Sequence, residues 1–211
     1  GNIKNINTND VQNTTFNISN LISGTITDII MGDVNTSFTF NSLTGIVANI
    51  IMATVSSDGF HGGDISGKVS NIKIGNVLGT AFFFDTLSGI ITNVNIGNVT
   101  EQIFYATKDI SGEISYINAG NCNSGFYSNL DISSQISNVN MGIIYNFPFF
   151  ANGDITGIIN YINVSTNPTY SFYANNISST MSYINSNGGI YTGVDFKGKL
   201  INCEFDCRGK G

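Results

Sequence analysis

Charge is scarce in this 211-residue chain: 10% of residues are charged while 41% are hydrophobic, so its polar surface has to be built from Asn, Ser, Thr and Gly. Those residues are poor helix formers, whereas Ile, Val, Phe and Tyr favour strands, so the composition argues for stacked strands. Basic residues are scarcest: eight Lys and Arg face 14 Asp and Glu, for a net charge of −6. Four of the eight (Lys197, Lys199, Arg208, Lys210) sit in the last fifteen positions. No basic stripe is left to neutralise phosphates, which excludes a nucleic-acid partner. The locally basic end reads as a solvated tail, with docking to an acidic partner as the alternative.

Three cysteines are too few for a disulfide scaffold in a chain of this length. Cys122 falls on a repeat position otherwise held by Val or Ile and reads as a buried free thiol. Cys203 and Cys207 are four apart and could bridge or stay free. The single histidine, His61, leaves a zinc site without ligands, and beside Gly62 and Gly63 it reads as a turn residue rather than a catalyst. No apolar run approaches the roughly 18 residues of a transmembrane helix, so no membrane insertion is expected. No signal peptide is visible, and the chain begins with Gly rather than Met, as a processed product or a fragment would.

What the chain has in abundance is repetition. The phrase Ile/Leu, Ser/Thr, Gly/Ser starts at Ile22, Leu43, Ile65, Leu87, Ile110, Ile132, Ile155 and Ile177, at intervals of 21 to 23 residues. Downstream of it the register persists: Val69 to Val77 matches Ile91 to Val99, and Ile136 to Gly142 follows the same pattern. The array already runs at Ile3 and ends in a degenerate coil from Leu200. A leucine-rich repeat would need more Leu and a helix or tight turn per unit, and a left-handed hexapeptide helix would need a six-residue subperiod; neither is present. The reading is all-β: a right-handed, single-stranded parallel β-helix of about nine coils of about 22 residues, three short strands per coil, rising roughly 4.8 Å per coil. Residues 1–199 form the repeat domain and 200–211 the last coil and basic tail.

Stacked columns explain how such a rod holds together. Ile26, Val47, Val69, Ile91, Ile114, Ile136, Ile159 and Met181 form one inward ladder, and Ile29, Ile50, Ile72, Val94, Ile117, Val139, Ile162 and Ile184 a second. Inward residues three apart require a bend between them. At the bend stand Asp28, Asn49, Asn71, Asn93 and Asn138, with Tyr116, Tyr161 and Tyr183 substituting; Asn and Asp tolerate left-handed backbone and can bond from coil to coil. A glycine column (Gly24, Gly45, Gly67, Gly89, Gly112, Gly157) marks a tight corner.

Repeats of the form Ile-Ser-Gly-x-Ile-x-Asn-Ile-x-Ile-Gly-Asn-Val followed by an aromatic pair resemble the short-coil β-helix repeats of phage tail fibres, tail spikes and related virion appendages, over Ile3 to Phe205. The resemblance implies a virion, extracellular location, self-association or contact with other virion subunits (a homotrimer foremost), and recognition of a host surface glycan. Bacterial cell-surface adhesins and polysaccharide-degrading enzymes share the architecture, so both stay open as alternatives, the enzyme through an intersubunit site.

Chemistry is harder to find. Coils of uniform length leave almost no loop to wall a cleft, and the paired Asp with His and Arg-x-Lys of polygalacturonase-like enzymes is missing, so no enzyme and no cofactor are expected. Asp64, Asp109, Asp131 and Asp154 each precede the anchor Ile. Stacked carboxylates repel, and Asp109, Asp131 and Asp154 are weak calcium candidates beside the simpler reading of solvated turn residues. Phe104-Tyr105, Phe126-Tyr127, Phe149-Phe150 and Phe172-Tyr173 recur once per coil. Strand alternation puts one member of each pair inside, so Tyr105, Tyr127, Phe150 and Tyr173 are expected as an exposed outward stripe, either self-stacked, packed on a neighbouring subunit, or stacking on sugars. The Ser/Thr column after each anchor is flanked by too irregular a neighbour for ice binding, and the Asn-x-Ser/Thr triplets follow from composition.

Overall fold

A computed structural model describes residues 1–166 and 170–205, and these contain strands and turns but no helix. The strands stack in parallel as a β-solenoid of about nine turns with two continuous sheets. The first sheet runs through Asn2–Thr8, Thr25–Met31, Ile46–Met52, Lys68–Ile74, Ile90–Ile96, Glu113–Ala119, Gln135–Ile143, Ile158–Thr166 and Thr180–Ser186, and is continued by Lys199–Ile201 and Glu204–Phe205. The second runs through Phe16–Ile22, Phe38–Leu43, Phe60–Ile65, Phe82–Phe84, Gln102–Ala106, Ser124–Ser128, Phe149–Ala151, Tyr170–Ile177 and Gly189–Phe196.

The third strand expected per coil is not formed. That side is reduced to single parallel backbone bridges, Val11–Val34–Val55–Val77–Val99 and Cys122–Ile144. The reason lies in the flanking Gly-Asn corners. The Asn76, Asn98 and Asn121 side-chain oxygens accept the backbone N–H of Asn98, Asn121 and Ile143 in the next coil, at 2.9, 3.0 and 2.9 Å. The chain therefore turns just before each bridge residue, too close for a ladder longer than one residue.

Both aliphatic ladders are buried as the repeat requires. The bend between them is left-handed in ten coils: Asn5, Asp28, Asn49, Asn71, Asn93, Tyr116, Asn138, Tyr161, Tyr183 and Asn202 all have φ between 50° and 60°. Asn49 donates to Asp28 Oδ1 (2.8 Å), Asn71 to Asn49 Oδ1 (2.9 Å) and Asn93 to Asn71 Oδ1 (2.7 Å). Tyrosine has no such bond to offer, and the left-handed backbone costs it about 1–2 kcal/mol per residue. A second amide ladder, not anticipated from the repeat, takes over two positions along: Asn118, Asn140, Asn163 and Asn185 each donate to the preceding member, starting from Asn95, at 3.4, 3.0, 2.8 and 3.0 Å.

The second sheet fills the core with one residue type. Phe16, Phe38, Phe60, Phe82, Phe104, Phe126, Phe149 and Phe172 stack face to face at 4.7–5.0 Å along the axis, and all but Phe16 are fully buried. Each stacked pair adds about 0.5–1.5 kcal/mol beyond the area it buries. At the glycine corner the backbone angles are ordinary and close approach is the constraint: a methyl group on Gly45, Gly67, Gly89 or Gly112 would overlap the carbonyl oxygen of the preceding coil's glycine. Ser134 and Ser179 occupy this position in two coils, buried, with hydroxyls that find no partner.

Candidate functional site

The outward face of the second sheet carries the aromatic stripe, and the alternation falls as the sequence requires. Phe104, Phe126, Phe149 and Phe172 are fully buried, while Tyr105, Tyr127, Phe150 and Tyr173 point out in parallel register. Those four rings are half-buried rather than exposed, because they stack on one another at 5.3, 4.4 and 5.0 Å.

The stack is also longer than expected. Phe83 lies 5.1 Å below Tyr105, His61 lies 4.5 Å below Phe83, and Tyr191 lies 4.5 Å above Tyr173. Seven rings thus form one pile over about 29 Å. His61 is therefore not a turn residue: it belongs to the strand Phe60–Ile65, in register with Phe83. The signal was present, since Phe60-His61 and Phe82-Phe83 precede Phe104-Tyr105 at the coil period. Tyr191 was hidden because Ile190 replaces the inward Phe and the preceding coil is shorter.

Self-stacking decides what the stripe offers. Within the pile each ring face is covered by its neighbours, so ring edges and the phenol groups of Tyr105, Tyr127, Tyr173 and Tyr191 face outward. Burial, followed by the negative charge of an ionised Tyr105, pushes the Tyr127 phenol above its ordinary pKa. Two rings break the pattern. Phe147 lies tilted against Phe150 and Tyr173, 5.3 Å from each, and Tyr170 lies tilted 5.3 Å from Tyr191. Beyond the aromatic residues runs a polar column of Asp85, Thr107, Asn129, Asn152 and Asn175, the first four just past the strand ends, in which Thr107 donates to Asp85 Oδ1 at 2.6 Å. Asn129 donates to the Tyr105 hydroxyl at 3.1 Å.

The one histidine is held by a carboxylate: His61 Nδ1 lies 2.7 Å from Asp58 Oδ2, while Asp58 Oδ1 accepts the Thr80 N–H at 2.9 Å. In the acidic column each carboxylate serves the coil above. Asp109 Oδ1 accepts the Asp131 N–H (3.1 Å), Asp131 Oδ1 the Asp154 N–H (2.8 Å), and Asp154 Oδ1 both the backbone and side-chain N–H of Asn176 (3.1 and 2.8 Å). These bonds offset the repulsion between stacked carboxylates, and among the described residues no group of three His, Cys, Asp or Glu side chains could hold a metal ion. Cys122 is buried, which pushes its thiol up to about 12. Cys203 is half-buried, and Cys207, with Arg208 and Lys210 of the basic tail, lies outside the described residues.

Concavities on the described surface include grooves between outward columns, such as the one lined by Asn5, Asp28, Ile30, Asn49 and Ile51, and one at the first coil lined by Ile3, Ile18, Leu21, Ile22 and Ile26. Comparison with known proteins returns no family model, no curated protein and no solved structure that matches this chain.

Proposed function

We propose that the chain is a non-enzymatic structural and receptor-binding module of a phage virion appendage, a tail fibre or spike, working outside the cell in contact with copies of itself or other virion subunits. The observation that carries this reading is the seven-ring outward stack, mounted on coils that, among the described residues, send out no long loops. A regular rod with aromatic edges, phenol hydroxyls and side-chain amides along one face is suited to lie along another long object. That object is either a neighbouring subunit, in a homotrimer foremost, or an extended surface glycan.

Co-sedimentation with purified bacterial surface polysaccharide tests the recognition half. Retention of the protein, weakened several-fold in a Tyr105→Ser/Tyr173→Ser variant, is the expected result. Time-dependent release of oligosaccharides would overturn the non-enzymatic reading. A gene neighbourhood without tail genes would overturn the virion assignment, and a monodisperse monomer in light scattering at high concentration would overturn self-association.

A further inference from the structure

We infer that a second binding position, separate from the outward stripe, lies on the first sheet between Tyr116 and Tyr161, and that it takes a single neutral pyranose ring. The inference rests on the surface-glycan reading for the class of ligand but not for its place.

Three observations converge on this spot. First, the left-handed bend column holds Asn or Asp in most coils, yet Tyr116, Tyr161 and Tyr183 keep the same backbone at φ 55°, 53° and 54°. A bulky residue there is unfavourable and gives up the amide ladder; Tyr161 and Tyr183 offset part of this by stacking on each other, but Tyr116 has no ring partner that would do so. Second, these tyrosines are among the most exposed large side chains, at 63%, 53% and 47%. Third, the column is interrupted. Tyr161 and Tyr183 stack at 4.8 Å and 2°, which closes one face of Tyr161. On its other side stands Asn138, and beyond Asn138 stands Tyr116.

The interruption places one short side chain between two tyrosines of the same column, the position that would serve as a slot. Tyr116 and Tyr161 are two coils apart, about 9.6 Å along the axis, which leaves one layer for a ring between them. The floor is Asn138, whose carboxamide makes only a 3.4 Å contact to the Ser137 hydroxyl. Two positions along the strand run Asn118, Asn140 and Asn163, each bonded to its neighbours in the ladder but retaining a spare N–H. Among the outward positions of the three first-sheet strands at these heights, Glu113 is the one charged side chain, and the acidic column of Asp109, Asp131 and Asp154 lies before the strands begin. Two flanking tyrosines, a rim of amides and almost no charge match a pyranose, whose ring faces are apolar and whose hydroxyls radiate from its edge. An anionic ligand finds no counter-ion here, and a plain aromatic ring leaves the amides unused.

Saturation-transfer NMR with methyl β-D-galactopyranoside and methyl α-D-glucopyranoside on the full chain, with phenol as the aromatic comparison, tests the inference. Transfer to at least one glycoside is expected. It should fall at least tenfold in Tyr116→Asn and Tyr161→Asn, which install the column's own residue and so preserve the fold, and in Asn138→Tyr, which fills the slot. The melting temperature of both Asn variants should hold or rise. Leu78→Ser, an exposed position outside both sheets and outside the stripe, should leave transfer unchanged. No transfer to either glycoside in the parent protein, or equal transfer in all three slot variants, would overturn the inference, as would binding of phenol alone. If only stripe variants lose transfer, the slot is refuted while the glycan-binding reading stands.

Discussion

Asn93 donates a 2.7 Å hydrogen bond to the side chain of Asn71, and both residues hold the same left-handed backbone, with φ 55° and 56°. One residue type thus supplies the bend and the link between bends. Asn71→Ala should lose both, since Asn71 also donates to Asn49. The expected cost is about 2–3 kcal/mol, the sum of the left-handed penalty and two partly exposed hydrogen bonds. Urea denaturation of the variant against the parent measures it. A change below about 0.5 kcal/mol would show that the ladder contributes nothing.

Phe126 and Tyr127 are neighbours with opposite fates. Phe126→Ala opens a void in the middle of the buried stack and should cost about 3–5 kcal/mol. For Tyr127→Ser the sequence suggests almost no effect, but Tyr127 is half-buried between Tyr105 and Phe150. Two lost ring contacts make a cost of about 1–2 kcal/mol the expectation, read as a shift in the denaturation midpoint.

Gly89→Ala should destabilise by about 1–3 kcal/mol, because the added methyl overlaps the Gly67 carbonyl oxygen and one coil must move from the other. The backbone angle of Gly89 is ordinary, so no conformational penalty adds to this figure. Unchanged thermal melting would show that the corner can relax.

Cys122 gives a pH dependence of known sign. Its thiol moves from an ordinary 9.0 to about 12 on burial, so below pH 9 both folded and unfolded chains carry it protonated and its contribution is fully present. Between pH 9 and 12 only the unfolded chain ionises, and stability falls by about 1.4 kcal/mol per pH unit. Cys122→Val should remove that part of the slope. Parallel stability curves for the two proteins across this range would contradict the burial of the thiol.

Most of the fold was legible in the sequence because a solenoid repeats its own solution. The 21- to 23-residue spacing of Ile22, Leu43 and Ile65, and the three-residue step between ladders such as Val69 and Ile72, place nearly every core residue and the left-handed bend between them. The narrow third side was not legible. Nothing in Val77 or Val99 says that one residue, rather than four, joins the ladder; that is settled by the Asn76 and Asn98 corners, which act between coils. The stripe was legible in direction but not in extent. His61 differs in chemistry from the phenylalanine and tyrosines it stacks with, and Tyr191 follows a shortened coil. The proposed slot at Asn138 escaped for a related reason: an Asn among tyrosines reads as an ordinary bend residue until the exposure of Tyr116 and Tyr161 on either side of it is known.

The orientation of the bonds between coils sets how the rod bears load. Every ladder hydrogen bond, amide link and Phe–Phe contact lies close to the long axis, so a force spread over an end face is shared by a whole coil boundary at once. Tension applied through the two chain ends meets the opposite situation: it strips one terminal coil at a time and breaks its bonds in sequence. The protein should therefore be stiff as a strut and weak as a tether, a difference that force spectroscopy would register as many small, evenly spaced yielding events rather than one large rupture.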